Sequence, residues 1–189
     1  MNFLKSALLT ITSITSGFAG SLNVVHLGPP QEINLEVKSG DNAQKFTLAY
    51  QSASGPFILP NKKSSLHTIG DQLKSLNIGA TKAGRIAVLY PKADTYVWKL
   101  YDSKPTLKKA SLRVINLTAE AAILTIAGKK VEIGADADTA IEEVNKSPIR
   151  IIFEDRKKQE PHLQEEPSAV IAFIYKNKDG WRLFYINDV

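Results

Sequence analysis

The sequence predicts an all-β protein: two tandem antiparallel β-sandwich domains that arose by internal duplication, set behind an N-terminal signal peptide. Three observations carry this. Short runs of alternating apolar and polar residues are punctuated by single glycines and prolines, the pattern of half-buried strands. Two blocks recur in the same order in the two halves of the 189-residue chain. The first residues have the layout of an export leader.

The leader comes first. One positive charge, Lys5, precedes Ala7, Leu8, Leu9, Ile11 and Ile14, and the small residues Gly17 and Ala19 place cleavage after Ala19. The apolar stretch is too short and too rich in Ser and Thr to span a bilayer, for which ~20 apolar residues are needed. Residues 1–19 are therefore expected to be removed on export, to the periplasm or the extracellular space. No later segment reads as a membrane helix, so none is expected in the mature chain.

The repeat sets the domain boundaries. Ser21-Leu22-Asn23-Val24-Val25-His26-Leu27-Gly28 is matched by Ser111-Leu112-Arg113-Val114-Ile115-Asn116-Leu117-Thr118. Ile86-Ala87-Val88-Leu89-Tyr90 is matched by Ile171-Ala172-Phe173-Ile174-Tyr175. Each closing block is followed by a tryptophan motif, Trp98-Lys99-Leu100-Tyr101 and Trp181-Arg182-Leu183-Phe184. The gap from tyrosine to tryptophan is eight positions in the first copy and six in the second, which reads as two residues lost from a hairpin turn. An even loss keeps Trp181 and Leu183 on the face that Trp98 and Leu100 occupy. The domains are then 22–102 and 111–189, with the polar, proline-bearing stretch 103–110 as linker.

Within the first copy, a strand at 22–27 stops at Gly28-Pro29-Pro30. Ile33, Leu35 and Val37 alternate with polar residues up to the Gly40-Asp41-Asn42 turn, and Phe46, Leu48 and Tyr50 alternate after it, which specifies a hairpin. Strands follow at Phe57-Ile58-Leu59 and around 76–78, before the closing hairpin. Leu66, Ile69, Leu73 and Leu76 also fit a short helix over 65–75 capped by Ser64-Ser65, a competing reading that Gly70 weakens. The second copy repeats the course with strands at 112–117, 122–126, 131–133, near 140–144 and at 149–153. The charged, proline-containing stretch 154–167 is expected to be an exposed loop.

Leu112-Arg113-Val114-Ile115-Asn116-Leu117-Thr118, Gly128-Lys129-Lys130-Val131 and Ile171-Ala172-Phe173-Ile174-Tyr175 together resemble uncharacterised exported bacterial proteins with tandem immunoglobulin-like or transthyretin-like β-sandwich repeats. The resemblance implies the sandwich fold for both halves and transfers no catalytic residue. The first copy departs from the pattern at Gly28-Pro29-Pro30 and Gly55-Pro56-Phe57.

Composition removes several function classes. Without cysteine there is no disulfide, thiolate metal site or thiol nucleophile. The formal charge is +5 and the leader accounts for one of those positive charges, and the lysine pairs are scattered among turns rather than gathered in a stripe, so nucleic acid is not an expected partner. His26, His67 and His162 lack metal-ligand spacing, and no serine sits in a Gly-x-Ser-x-Gly elbow. His26 falls where the second copy has Asn116, which reads as a polar strand end common to both units. Asp136-Ala137-Asp138 with Glu142-Glu143 lacks the ligand alternation of a calcium loop and reads as an exposed turn. No paired carboxylates and no phosphate-cradling glycine loop stand out.

Catalytic, cofactor-binding and metal-binding residues are accordingly none, and no cofactor is expected. Aromatic residues are the remaining candidates. Tyr96, Trp98 and Tyr101 on one closing hairpin, with Trp181 and Tyr185 on the other, form a speculative ligand face, although a repeated tryptophan alternating with leucine reads first as a core anchor. The expected function is non-catalytic: an interaction or scaffolding component of the cell envelope, its partner an envelope protein or polysaccharide. Glycan or other ligand binding through the closing hairpins is the alternative, and an enzyme with an unrecognised site is the second alternative.

Overall fold

A computed structural model of the chain describes residues 20–60, 63–70, 73–80, 82–103, 112–126, 129–141, 151–153, 158–159 and 170–187. Among them every regular element is a strand. The first eight are β1 (Gly20–His26), β2 (Ile33–Ser39), β3 (Asn42–Leu48), β4 (Ser52–Leu59), β5 (Ser64–Thr68), β6 (Leu76–Gly79), β7 (Arg85–Lys92) and β8 (Thr95–Asp102). The others are β9 (Leu112–Asn116), β10 (Ala122–Ile126), β11 (Lys129–Ile133), β12 (Asp138–Ile141), β13 (Ile151–Phe153), β14 (Lys158–Gln159), β15 (Val170–Asn177) and β16 (Gly180–Asn187). The leader, residues 104–110 of the linker and most of the stretch 154–167 lie outside the described residues.

The strands form four sheets of four, in the orders β3-β2-β5-β6, β4-β1-β7-β8, β12-β9-β15-β16 and β11-β10-β13-β14. Adding eight to each strand number of the first two sheets reproduces the other two. Pairing is antiparallel except for β1 with β7 and β9 with β15, which run parallel in the same register: Leu22 lies opposite Arg85 and His26 opposite Leu89, as Leu112 lies opposite Val170 and Asn116 opposite Ile174.

Three apolar clusters bind the sheets into four layers. Leu22, Val24, Ala87 and Leu89 face Leu35, Val37 and Leu66 in the first sandwich, and Leu112, Val114, Ala172 and Ile174 face Leu124 and Ile133 in the second. The third cluster joins the sandwiches: Val25, Ile86, Val88 and Tyr90 pack with Ile115, Ile171, Phe173 and Tyr175. The parallel pairs β1/β7 and β9/β15 are thus buried on both faces. That is why β7 and β15 carry continuous apolar runs, Ile86 to Tyr90 and Val170 to Tyr175, whereas β2, with Ile33, Leu35 and Val37 inward and Glu36 and Lys38 outward, alternates. Arg113 also lies in the middle layer at 1% exposure, donating to both carboxylate oxygens of Asp138 at 2.8 and 2.7 Å and to Asp102 O at 2.7 Å. It ties β9 to the last residue of β8.

The structure corrects three expectations. The two closing hairpins have connections of the same length, Lys92 opposite Thr95 and Asn177 opposite Gly180, so no residues are missing from the second turn. Trp98 lies opposite Leu89, and the matching Ile174 faces Leu183; Trp181 lies opposite Lys176 and corresponds to Tyr96. Sliding one strand by two residues returns every side chain to its own face, so similarity of facing pattern cannot detect the slip. A difference in hairpin length does occur between β10/β11, which pairs from Ala122–Ile133 to Ile126–Lys129, and the longer β2/β3, which pairs from Ile33–Leu48 to Ser39–Asn42.

The helical reading of 65–75 also fails. Leu66 sits in β5, fully buried between Val37 of β2 and Leu76 of β6, and these cross-strand contacts outweigh the helical spacing. In the stretch read as a loop, Lys158 and Gln159 form β14, paired with Ile152 and Ile151.

Candidate functional site

The ends of β1 and β9 build one local device with different residues. His26, fully buried, places Nδ1 3.0 Å from Ala49 O, just past β3. Asn116, also fully buried, donates Nδ2 to Gly134 O at 2.9 Å, just past β11, and to Glu120 O at 2.8 Å, while its Oδ1 accepts from Thr118 N at 3.0 Å. His26 Nδ1 and the Asn116 amide are thereby engaged, and the loop after each third strand is pinned to the end of each first strand. The expectation that His26 and Asn116 are equivalent strand-end groups matches this geometry. Burial holds the His26 pKa below its usual value, against the opposing pull of neighbouring carbonyls.

Two residues beyond each pinned carbonyl the backbone turns left-handed, at Gln51 and at Asp136, each with φ 53°. Both side chains reach across the middle layer. Gln51 Nε2 donates to Tyr175 OH at 2.6 Å, and Asp136 takes Lys99 Nζ at 3.4 Å. Tyr175 is pushed up to about 12 by burial. Tyr90, its counterpart on β7, is raised by burial and further by the Asp136 charge.

Above these crossings the turns of both sandwiches enclose a cleft of about 740 Å³. The β1–β2 loop and β7–β8 turn bring Gly28, Pro30, Pro91 and Asp94, with Tyr50 and Tyr96 beside them; the β9–β10 loop and β15–β16 turn bring Thr118, Glu120 and Lys176 to Asp179. Lys176 bridges to Glu120 at 2.6 Å and lies 4.5 Å from the centre of the Trp181 ring. Arg182 lies 3.5 Å from Asp179. A mixed apolar and polar depression of this size is of the kind that holds small ligands, for which ~300–1,000 Å³ is usual.

The five aromatic residues singled out from sequence are not brought onto one face. Tyr96 lines the cleft and packs with Trp98 on the first sandwich core; Trp181 and Tyr185 pack on the core of the second; Tyr101, 8% exposed, is in the middle layer. Strand alternation separates Tyr101 from Trp98, three positions away on the same strand. Both tryptophans are half-buried. Of the five, Tyr96 is the one that reaches the cleft.

Of the acids singled out from sequence, Asp136, which lines the cleft, and Asp138 are occupied by Lys99 and Arg113, and Glu142-Glu143 lies outside the described residues. No grouping of three or more metal-binding side chains occurs among the described residues. One neighbour relation escaped the sequence reading. Ser65 Oγ lies 2.7 Å from His67 Nε2, with Glu36 opposite His67 in the ladder and bridged to Lys38 at 2.9 Å. Serine and histidine two apart share a face only once the segment is a strand, so the helical alternative hid the pair. It stands on the outward face of β5, apart from the cleft.

No protein-family model matches the chain, and no curated protein matches it. Among the described residues no helix is long and apolar enough to cross a membrane.

Proposed function

We propose that the chain is an exported, non-catalytic component of the cell envelope, two tandem copies of one immunoglobulin-like β-sandwich, that acts in interaction or scaffolding through the cleft where the copies meet. The duplication is supported by the repeated sheet orders, by the equal registers of β1/β7 and β9/β15, and by the matched pins and left-handed turns at Gln51 and Asp136. The observation that carries the functional reading is that both copies contribute corresponding loops to one cleft. A site assembled from both copies gives a reason for two sandwiches to be held rigidly together. Its partner is an envelope protein or polysaccharide, met in the periplasm or outside the cell.

Two measurements test this. Residues 1–19 fused to alkaline phosphatase should yield activity outside the cytoplasm, with mass spectrometry locating cleavage after Ala19; a reporter retained inside the cell removes the export reading. Purified 20–189 should bind isolated envelope fragments, and Ala119→Trp, which fills the cleft from an exposed position, should weaken that binding at least tenfold, whereas Ile58→Ser, at an exposed site away from the cleft, should not. Equal binding by all three proteins would remove the cleft from the function.

A further inference from the structure

We infer that the junction cleft takes a neutral oligosaccharide, an inference that rests on the cleft being the recognition site. Three features of the cleft point to this class.

The first is its balance of surfaces. Tyr50 and Tyr96, both half-buried, line it together with Pro30 and Pro91. Tyr50 makes an edge-on contact with the buried His26 ring, at 6.1 Å and 77°, so its ring is positioned before any ligand arrives. Rigid amphipathic rings supply contact area at small entropic cost. A sugar presents apolar C–H faces and hydroxyl edges together, and therefore uses both kinds of lining.

The second is charge. Lys92, Lys176 and Lys178 stand against Asp94, Glu120, Asp136 and Asp179. Three of those carboxylates already face a cation: Glu120 has Lys176, Asp136 has Lys99 and Asp179 has Arg182. With Lys99 and Arg182 counted, five cations stand among four acids and the charges nearly balance, so neither an anionic nor a cationic polymer meets a complementary field. What remains is hydrogen-bonding capacity. A carboxylate offers about four acceptor positions, and one ion pair leaves others for hydroxyl donors.

The third is the backbone that forms the rim. The cleft is bounded mainly by loops and hairpin turns, and of the edge strand β8 only the first two residues, Thr95 and Tyr96, line it, so an extended peptide would find too short an edge there to add as a strand.

The experiment is affinity electrophoresis of purified 20–189 through gels containing neutral glucans and mannans, with alginate and chitosan as charged comparators, at 0.15 and 1 M NaCl. The expected result is retardation by at least one neutral glycan, equal at both salt concentrations. Tyr96→Ala, Asp94→Ala and Ala119→Trp should each weaken it at least tenfold, and Ile58→Ser should leave it unchanged. Asp94 and Ala119 are exposed, so these two variants keep the test valid if Tyr96→Ala unfolds. Retardation confined to a charged polymer, abolished by salt, or indifferent to Asp94→Ala and Ala119→Trp would overturn the inference. Absence of any glycan binding alongside envelope binding that Ala119→Trp abolishes would overturn it and leave the recognition role standing. Failure of both assays would end both.

Discussion

His26 and Asn116 do the same mechanical work, but only the histidine can change charge. Its pKa is held below 6.5 by burial, so on acidification the unfolded chain takes up a proton that the folded chain resists. The contribution of neutral His26 is complete above pH ~6.5 and is lost as the pH falls from there toward the depressed folded value. His26→Asn, copying the second sandwich, should therefore unfold in urea with a smaller drop in midpoint between pH 8 and pH 5 than the parent. Equal drops would show that another group controls the acid response. The equivalence of His26 and Asn116 was legible from a single alignment column. The pairing of Gln51 with Tyr175 was not, because it joins residues 124 positions apart across two sandwiches.

At the scale of the strand, alternation and turn chemistry were readable and register was not. The β2/β3 hairpin follows from its apolar period and from Gly40, whose φ of 58° the tight turn requires. The tryptophan match, in contrast, misaligned β8 and β16 by two residues, because a period of two makes such a slip invisible to any argument from faces. The β1/β4 edge shows what sequence inspection passes over. Their register shifts between Leu22 and Val24, and opposite that shift Gly55 has φ +132° with Leu22 O 2.7 Å from where a Cβ would stand. Gly55→Ala must strain the backbone as well as displace β1, and should cost about 2–3 kcal/mol in chemical denaturation. A loss well under 1 kcal/mol would mean that the bulge relaxes freely.

Across the whole molecule, the middle apolar layer packs the two sandwiches together and should make them unfold as one cooperative body. Val25, Val88, Ile115 and Phe173 are 0% exposed, a degree of burial that belongs to a core rather than to a glancing contact between domains. Trp98 reports on the first sandwich and Trp181 on the second, so Trp98→Phe and Trp181→Phe each leave one fluorescent probe. The two variants should unfold in urea at midpoints that also coincide with their circular dichroism. Phe173→Ala, placed in either background, should lower both probes together by about 3–5 kcal/mol. A Phe173 substitution that moved only the Trp181 signal would show the sandwiches unfolding separately.

The sequence by itself determined that this chain is made of strands, because alternation and turn residues act over a few positions, and it marked which segments begin and end alike. It also contained the trace of the middle layer, since Ile86-Ala87-Val88-Leu89-Tyr90 and Ile171-Ala172-Phe173-Ile174-Tyr175 do not alternate and so bury both faces. Tertiary structure alone decided the pairing register, the separation of the aromatic residues among three clusters, and the cleft. Those depend on which loops converge when four sheets stack, a relation between residues far apart in sequence that no local pattern encodes.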